Sequence, residues 1–253
     1  MLNPAVVCFA QLSDCHLYHD KSRCHELANP YDNLARALAD VAQKQSELDF
    51  VLLTGDLAQT EDAATYQLLA DLVRSFHWQL PIYWLPGNHD DKKLAADYLC
   101  DEPFVNFNSP HGQLLTYANW QILLLDSTKQ GCTEGLLSAE YLASLPDITQ
   151  PHVLLALHHH VKPFNSFIDK YITEYDEAFN QWVTKPQVKG LIHGHVHSAV
   201  GYLFLGKPVY ACPATSVEFI HQVSEFATGN TTGGYNIIRL QDNGDIQRET
   251  IWL

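Results

Sequence analysis

Three histidines occupy alternate positions directly after a short apolar run. Residues 190–200 read GLIHGHVHSAV, with His193, His195 and His197 spaced two apart. In an extended backbone, residues two apart project from the same face, so the three imidazoles could share one pocket. Nitrogen groups buried without a partner are costly, so this pocket should hold something that takes nitrogen ligands. The spacing therefore predicts a binding site at the end of a buried strand.

Four further polar clusters follow short apolar runs: Asp14-x-His16, Gly55-Asp56, Gly87-Asn88-His89-Asp90 and His158. Their carboxylate, amide and imidazole groups suit divalent metals such as manganese, iron or zinc. The candidate ligands exceed what one tetrahedral ion would use, whereas two ions that share a carboxylate would account for all of them. Such a pair lies about 3.5 to 4 Å apart and clamps the attacking and leaving oxygens of an in-line displacement. The seven candidates are Asp14, His16, Asp56, Asn88, His158, His195 and His197.

Strand and helix patterns alternate through the first half of the chain. The runs AVVCFAQ, DFVLLT, PIYWLP, VLLAL and KGLI predict strands buried on both faces. Between them, apolar residues recur at helical spacing after a cap at Asp32-Asn33 and again after Glu61-Asp62. This alternation predicts parallel strands, and all five polar clusters would lie at strand ends, where ligands collect in α/β sheets. From Tyr202 onward only strands are predicted, with turns at Gly206-Lys207 and Asn243-Gly244, and they should complete a second sheet.

Length and charge narrow the classes of function. A chain of 253 residues is an ordinary size for one α/β domain, so we expect a single domain over residues 1–253. The formal net charge is -14, with 15 Lys and Arg against 29 Asp and Glu, which argues against a nucleic-acid partner. An anionic substrate would then need its countercharge from bound metal ions.

Cysteine usage and the N-terminus bear on the compartment. The six cysteines show no Cys-x-x-Cys spacing, which favours idle thiols in a reducing compartment over a zinc ribbon or a redox dithiol. Neither a basic start with a long apolar stretch nor a membrane-spanning run is evident in the sequence. We therefore expect a cytoplasmic protein without a membrane partner.

The order of the clusters resembles the signature of the calcineurin-like metallophosphoesterases. Longer segments are similar to the bacterial class III 3',5'-cyclic AMP phosphodiesterases within that superfamily, namely GDLAQTEDAATY, YWLPGNHD, LLLDSTKQGCTEGLLSAEYLASL, LALHHH, VKGLIHGHVH and PVYACPATSVEF. The resemblance covers nearly the whole chain, and the motifs specify the superfamily better than the cyclic nucleotide. It implies an α/β fold, a four-layer αββα sandwich of two mixed β-sheets flanked by helices.

The resemblance also implies how the metal ligands divide between two ions. Asp56 would bridge the ions, because a carboxylate has two oxygens and the charge to hold two cations together. The first ion would be held by Asp14, His16 and His197, and the second by Asn88, His158 and His195. Iron or manganese would be the preferred metal, with zinc as a further candidate.

Other residues near the ligands would act on the substrate. His89 would bind a phosphoryl oxygen or protonate the leaving 3' oxygen, with Asp90 fixing its tautomer, so that His89, Asn88 and Asp90 form the catalytic set. Asn88 would contact both metal and phosphate, and His159 would help to orient either the phosphate or His158. His193 is expected to be a buried histidine satisfied by hydrogen bonds.

The implied activity is hydrolysis of 3',5'-cyclic AMP to 5'-AMP by in-line attack of a metal-bridging hydroxide. The small-molecule cyclic nucleotide would be the only partner besides a second copy of the chain in a homodimer. An alternative is a broader phosphodiesterase or nucleotide pyrophosphatase that uses the same dinuclear site. A protein phosphatase is disfavoured because the chain has little spare length for a docking surface. A non-catalytic binding scaffold is disfavoured because no candidate ligand is missing.

Overall fold

Two mixed six-stranded sheets form the centre of the protein, which the computed structural model describes over residues 7–107, 111–223 and 225–253. The helices are α1 (Pro30–Gln43), α2 (Ala63–Arg74), α3 (Lys92–Tyr98), α4 (Ala139–Ala143) and α5 (Glu177–Thr184), and 3-10 turns cover Gln45–Glu47 and Phe167–Tyr171. The strands are β1 (Val7–Leu12), β2 (Phe50–Thr54), β3 (Ile82–Leu85), β4 (Phe104–Val105), β5 (Gln113–Tyr117), β6 (Trp120–Leu124), β7 (Gly135–Leu137), β8 (His152–Ala156), β9 (Thr173–Tyr175), β10 (Val188–His193), β11 (Gly201–Phe204), β12 (Lys207–Ala211), β13 (Gly234–Leu240) and β14 (Ile246–Trp252).

The first sheet has the order β14-β13-β1-β2-β3-β4, and the second has the order β11-β12-β10-β8-β6-β5. In the first sheet β1 to β4 run parallel, and in the second β6, β8, β10 and β12 do so. The outer strands pair antiparallel in both sheets, except at β4. All five predicted ligand-bearing strands are therefore parallel strands, although Ala5 and Val6 of the first predicted run lie outside the described residues.

The two sheets face each other and helices cover their outer faces. Along β8, Leu154 and Ala156 join the core cluster that contains Phe9 and other residues of the first sheet. Val153 and Leu155 alternate with them and join a second cluster that contains Phe179 and Val183 of α5. The buried faces of α1 and α2 belong to the first cluster. The α/β sandwich of two mixed sheets flanked by helices is thus confirmed.

The C-terminal strands divide between the sheets, which differs from the expectation that they complete the second sheet. β11 and β12 extend the second sheet beside β10, whereas β13 returns to pair antiparallel with β1, and β14 closes that edge. The burial of the strands gives the reason. β13 is buried at six of its seven positions, as an interior strand requires, while every residue of β14 retains some solvent exposure, as suits an edge strand.

Helix α1 begins before the predicted cap. Pro30 occupies the first turn, and the side chain of Asn29 accepts a hydrogen bond from the Asp32 N–H, so the helix starts three residues earlier than Asn33. Asn33 is instead buried inside the helix, where its amide donates to the carbonyl of Ser216 at 2.7 Å. The predicted cap of α2 at Asp62 is present.

None of the helices in the described ranges is long and apolar enough to cross a membrane.

Buried amides join the two sheets close to their ligand-bearing ends. Gln11 of β1 donates to the His193 carbonyl of β10 at 3.2 Å, and Asn236 of β13 donates to the Ala211 carbonyl of β12 at 3.1 Å. Asn236 also accepts from the Thr250 hydroxyl at 2.8 Å. A buried polar group that loses its partner costs about 1–3 kcal/mol, so these bonds fix the position of one sheet against the other.

We expect Asn236→Ala to lower the free energy of unfolding by about 1–3 kcal/mol, because it leaves the Ala211 carbonyl and the Thr250 hydroxyl without this partner. Urea unfolding followed by circular dichroism measures the change. The matched control is Gln247→Ala, which removes an exposed amide from the neighbouring strand and should change stability by less than about 0.5 kcal/mol. Equal stability of the two variants would contradict a structural role for the buried amide.

Candidate metal centre

The loops that follow the strands contain an unusual set of backbone angles. Asp14, His16, Asp56, His195 and His197 have φ values of 53°, 47°, 52°, 67° and 51°. This left-handed region is sparsely populated by residues other than glycine, at a cost of about 1–3 kcal/mol each, and persists only where the surroundings impose it. All five residues are predicted metal ligands. Five of the eleven non-glycine residues with positive φ in the described ranges are thus predicted metal ligands.

The same angles correct the geometric argument for the three histidines. β10 ends at His193, and both His195 and His197 lie beyond it in a loop, so strand alternation does not put the three imidazoles on one face. His193 contacts the carbonyl of Gly194 through Nδ1 at 2.7 Å and the hydroxyl of Tyr202 through Nε2 at 2.9 Å. The expectation of a buried histidine satisfied by hydrogen bonds is thus confirmed for His193.

Backbone hydrogen bonds hold the ligand loops side by side. The loop after β1 runs alongside the loop after β2. The Asp14 N–H donates to the Gly55 carbonyl at 3.0 Å, and the His16 N–H donates to the Asp56 carbonyl at 2.9 Å. The His195 N–H, after β10, donates to both carboxylate oxygens of Asp14 at 3.0 Å. Gly194 permits this approach, since a Cβ there would collide with the hydroxyl of Ser13.

The side chains of six predicted ligands converge around Asp56, which is 2% exposed. Nε2 of His158 lies 3.3 Å from Oδ2 of Asp56, and Nε2 of His16 lies 3.6 Å from the same oxygen. Nε2 of His16 is 2.9 Å from Nε2 of His197. In four groups, one ligand atom from each residue lies within 4.8 Å of the others: Asp14, His16 and His197; Asp14, Asp56 and His158; His16, Asp56 and His89; and His158, His159 and His195.

Unpartnered atoms test whether this donor set suits metal ions. Nδ1 of His158 bonds the Thr54 carbonyl, and Nδ1 of His197 bonds the Val217 carbonyl, each at 2.8 Å, which directs Nε2 of both rings towards the centre of the cluster. Within the described residues, Nε2 of His158, Nε2 of His195 and Oδ1 of Asn88 are buried without a hydrogen-bond partner. Such orphaned atoms are costly unless a cation takes them. These residues fit divalent metal ions.

The protonation states of the imidazoles agree with this interpretation. Burial lowers the pKa of His16 and His195 well below the usual range, and it lowers the pKa of His197 to about 3. These rings are therefore neutral at pH 7, which is the form that binds metals. Burial also raises the pKa of Asp14 to about 7.

The central carboxylate keeps its charge. Burial favours the neutral acid of Asp56, but the positive charge of His158, 3.3 Å away, outweighs this effect and holds the pKa of Asp56 well below its usual range. Burial alone would lower the pKa of His158. The Asp56 carboxylate outweighs this effect, and the pKa of His158 is raised to about 9. An anion at the centre of the cluster thus draws positive charge towards itself, as a metal-bridging carboxylate must.

The loop after β3 brings Asn88 and His89 to the same place. Both side chains line a cavity of about 210 Å³ together with Asp56, His195 and His197. The His89 N–H donates to Oδ1 of Asp56 at 2.9 Å, and Nδ1 of its ring lies 3.4 Å from the Gln59 amide. A larger cleft of about 690 Å³, near Trp78 and Phe104, contains none of the predicted site residues.

Asp90 has a different set of contacts from the one that we predicted. Its carboxylate accepts from the backbone N–H groups of Leu57, Ala58 and Gly87 at 2.9–3.2 Å and from the Tyr66 hydroxyl at 3.2 Å. It makes no hydrogen bond to the His89 ring, so it does not fix that tautomer. A carboxylate that accepts several N–H groups from two loops instead holds the Asp56 loop against the Asn88 loop.

The structure contradicts one of the two roles predicted for His159. The side chain is fully buried, with Nδ1 at 2.8 Å from the Ser127 hydroxyl and Nε2 at 3.1 Å from the Thr133 carbonyl. Both ring nitrogens are therefore occupied, and His159 does not line the cavity. The predicted contact with phosphate is incompatible with this arrangement. His159 packs instead against the rings of His158 and His195, at 4.9 and 4.7 Å between centroids.

His25 is the residue that sequence reasoning missed. His25 lines the cavity and stacks on His16 with centroids 5.3 Å apart and planes 10° apart. It lies in the loop between β1 and α1, where its backbone pairs with Ala28. No apolar strand run precedes His25, so the strand-end pattern that identified the other residues contains no signal for it.

Comparison with known proteins agrees with this geometry. The family model of calcineurin-like phosphoesterases matches residues 9–199. A relative from Escherichia coli K12, named 3',5'-cyclic adenosine monophosphate phosphodiesterase CpdA, is 33% identical over 94% of this chain and 87% of its own length. A relative of the same name from Haemophilus influenzae is 31% identical over 96% of this chain and 89% of its own length.

A solved structure has the same fold at low sequence identity. The dimetal phosphatase from Danio rerio superposes with a TM-score of 0.60 at 12% identity and covers 99% of both chains. The family match and the relatives confirm the resemblance that the polar clusters indicated, and this chain belongs to the calcineurin-like phosphoesterase family.

Proposed function

We propose that this protein is a metal-dependent phosphodiesterase that hydrolyses 3',5'-cyclic AMP to 5'-AMP. The observation that carries the proposal is the convergence on Asp56 of ligands from both sheets, in a cavity that opens beside Asn88 and His89. The names of the E. coli and H. influenzae relatives support the cyclic nucleotide as substrate.

The proposed ligands form two groups that share Asp56. Asp14, His16 and His197 would hold one divalent ion, supported by the 3.4 Å distance between Nε2 of His197 and Oδ1 of Asp14. The other ion would be held by Asn88, His158 and His195, each of which has a buried atom without a hydrogen-bond partner. Nitrogen and oxygen donors of this kind suit iron and manganese, and also zinc.

Divalent ions in these positions would supply Lewis acidity and lower the pKa of a bound water molecule. His89 is half-buried at the cavity wall, where its imidazole would contact a phosphoryl oxygen or give a proton to the leaving 3' oxygen. Gln59 would orient the His89 ring through the contact at 3.4 Å. Asp90 would act as a positioning residue, since it ties the backbone beside Asp56 to the backbone beside Asn88.

The first test compares substrates and one variant. We expect purified protein to release 5'-AMP from cyclic AMP faster than it hydrolyses bis(4-nitrophenyl) phosphate, and Asn88→Ala to lose nearly all turnover because it removes a proposed ligand. Chromatography of the nucleotide products measures the rate. Asn180→Ala, on the surface of α5, is the control and should retain full activity. A cyclic AMP rate no higher than the aryl diester rate would favour the broader phosphodiesterase instead.

The second test measures metal content. Elemental analysis should find about two divalent ions per chain in the wild type. Asp56→Asn should hold less than one, because the amide removes the charge that keeps two cations together. Asp71→Asn, at an exposed position of α2, should hold as much metal as the wild type. Two ions retained by Asp56→Asn would exclude Asp56 as the bridging ligand.

The third test separates the proposed proton donor from the ligands. His89→Ala should keep the wild-type metal content and lose at least about 100-fold in kcat, which is the typical contribution of a general acid. A substrate with a 4-nitrophenolate leaving group needs little protonation, so its hydrolysis should fall much less. An equal loss on both substrates would argue against proton donation by His89.

A further inference from the structure

The cavity beside the candidate metal centre has two chemically different walls. Asn88, His89 and the inner histidines form one wall, and the proposed reaction uses its metal ligands and His89. The other wall is aromatic and apolar, and the reaction at phosphorus gives it no role. It consists of Phe167, Ile168, Tyr171, Phe219 and Phe226.

Three of these rings contact one another and reach a proposed metal ligand. Phe219 stacks flat on His197, with centroids 3.8 Å apart and planes 7° apart. Phe167 and Phe226 contact Phe219 edge-on at 5.4 and 5.3 Å, and they lie 5.2 Å from each other. The aromatic wall thus begins at the metal centre and extends outward from it.

Hydrogen bonds fix the segment that carries Phe167. The 3-10 turn Phe167–Tyr171 begins with a capping box, in which the Asp169 carboxylate accepts the Ser166 N–H at 3.0 Å. His221 then joins this turn to the ligand loop, with Nδ1 at 3.0 Å from the Ser166 hydroxyl and Nε2 at 2.9 Å from the Val196 carbonyl. These hydrogen bonds therefore fix the position of the turn that carries Phe167 relative to His195 and His197.

Phe226 is the ring that core packing does not explain. It is 47% exposed, although it lies in the cavity and has two aromatic neighbours. Phe219 already has one face covered by His197, so Phe226 offers the most accessible π surface of the wall. A planar base stacks on such a surface, and alanine substitution of a stacking ring weakens binding substantially whatever the base.

We propose that Phe226, supported by Phe167 and Phe219, forms a stacking site for the nucleobase of the cyclic nucleotide. The inference rests on the proposed phosphodiesterase function and adds the binding site for the part of the substrate that does not react. The polar wall holds the phosphate ester and the aromatic wall holds the base, so the ribose spans the distance between them. Because the stacking site touches no reacting atom, it affects binding rather than the chemical step.

Paired substrates and variants test this site. We expect Phe226→Ala to raise KM for cyclic AMP about tenfold, with kcat within about twofold of the wild type. It should leave turnover unchanged for ribose 3',5'-cyclic phosphate that has a methoxy group in place of the base. Phe226→Tyr keeps the ring and should restore the wild-type KM. Trp252→Ala removes an aromatic ring of similar exposure, 44%, that does not line the cavity, and should change neither constant.

A binding measurement complements the kinetics. Saturation-transfer NMR on the adenine protons of 5'-AMP should give a clear signal with the wild type and a much weaker one with Phe226→Ala. Unchanged KM and an unchanged NMR signal in Phe226→Ala would overturn the stacking site, as would an equal loss on the substrate without a base. A wild type that hydrolyses no cyclic nucleotide would instead overturn the proposed function, so the two failures are distinguishable.

Discussion

The buried charge of Asp56 is the constraint on which the site depends. A carboxylate that is 2% exposed is stable as an anion only if positive charge lies beside it, and its nearest charged neighbour in the protein is His158, at 3.3 Å. The other predicted ligands surround this charge as neutral imidazoles, as the Asn88 amide or as the backbone-bonded carboxylate of Asp14. The cluster therefore contains more nitrogen and oxygen atoms with free lone pairs than protons that could bond to them. This excess of lone pairs favours the binding of cations.

The backbone accepts considerable strain to achieve this convergence. Five ligand residues have positive φ, and each would relax to an ordinary conformation if its loop were free. What prevents relaxation is a dense set of contacts between loops: main-chain bonds from Asp14 and His16, the carboxylate of Asp90 on two loops, and the amide bonds from Gln11 and Asn236 between sheets. The stability of the two packed sheets is thus used to hold an unfavourable local geometry.

Sequence reasoning predicted the sandwich and the cluster of ligands because both leave local patterns: apolar runs, and polar motifs where the runs end. It could not assign β13 to the first sheet, since strand pairing between residues more than 200 positions apart depends on tertiary packing. The tautomer role of Asp90 and the phosphate contact of His159 were wrong for a related reason, because hydrogen-bond partners such as Tyr66 and Thr133 are not neighbours in the motifs. His25 and Phe226 lie in loops without periodicity, so only the folded chain shows that they reach the cavity.

The predicted ligands follow β1, β2 and β3 of one sheet and β8 and β10 of the other, so the candidate metal centre lies between two independently hydrogen-bonded sheets. A small shift of one sheet relative to the other would separate the residues that follow β1, β2 and β3 from those that follow β8 and β10. It would do so before it exposed any core residue. Enzymatic activity in this fold therefore depends strongly on the alignment of the two sheets. Substitutions far from the interface between the sheets can abolish activity while the protein stays folded.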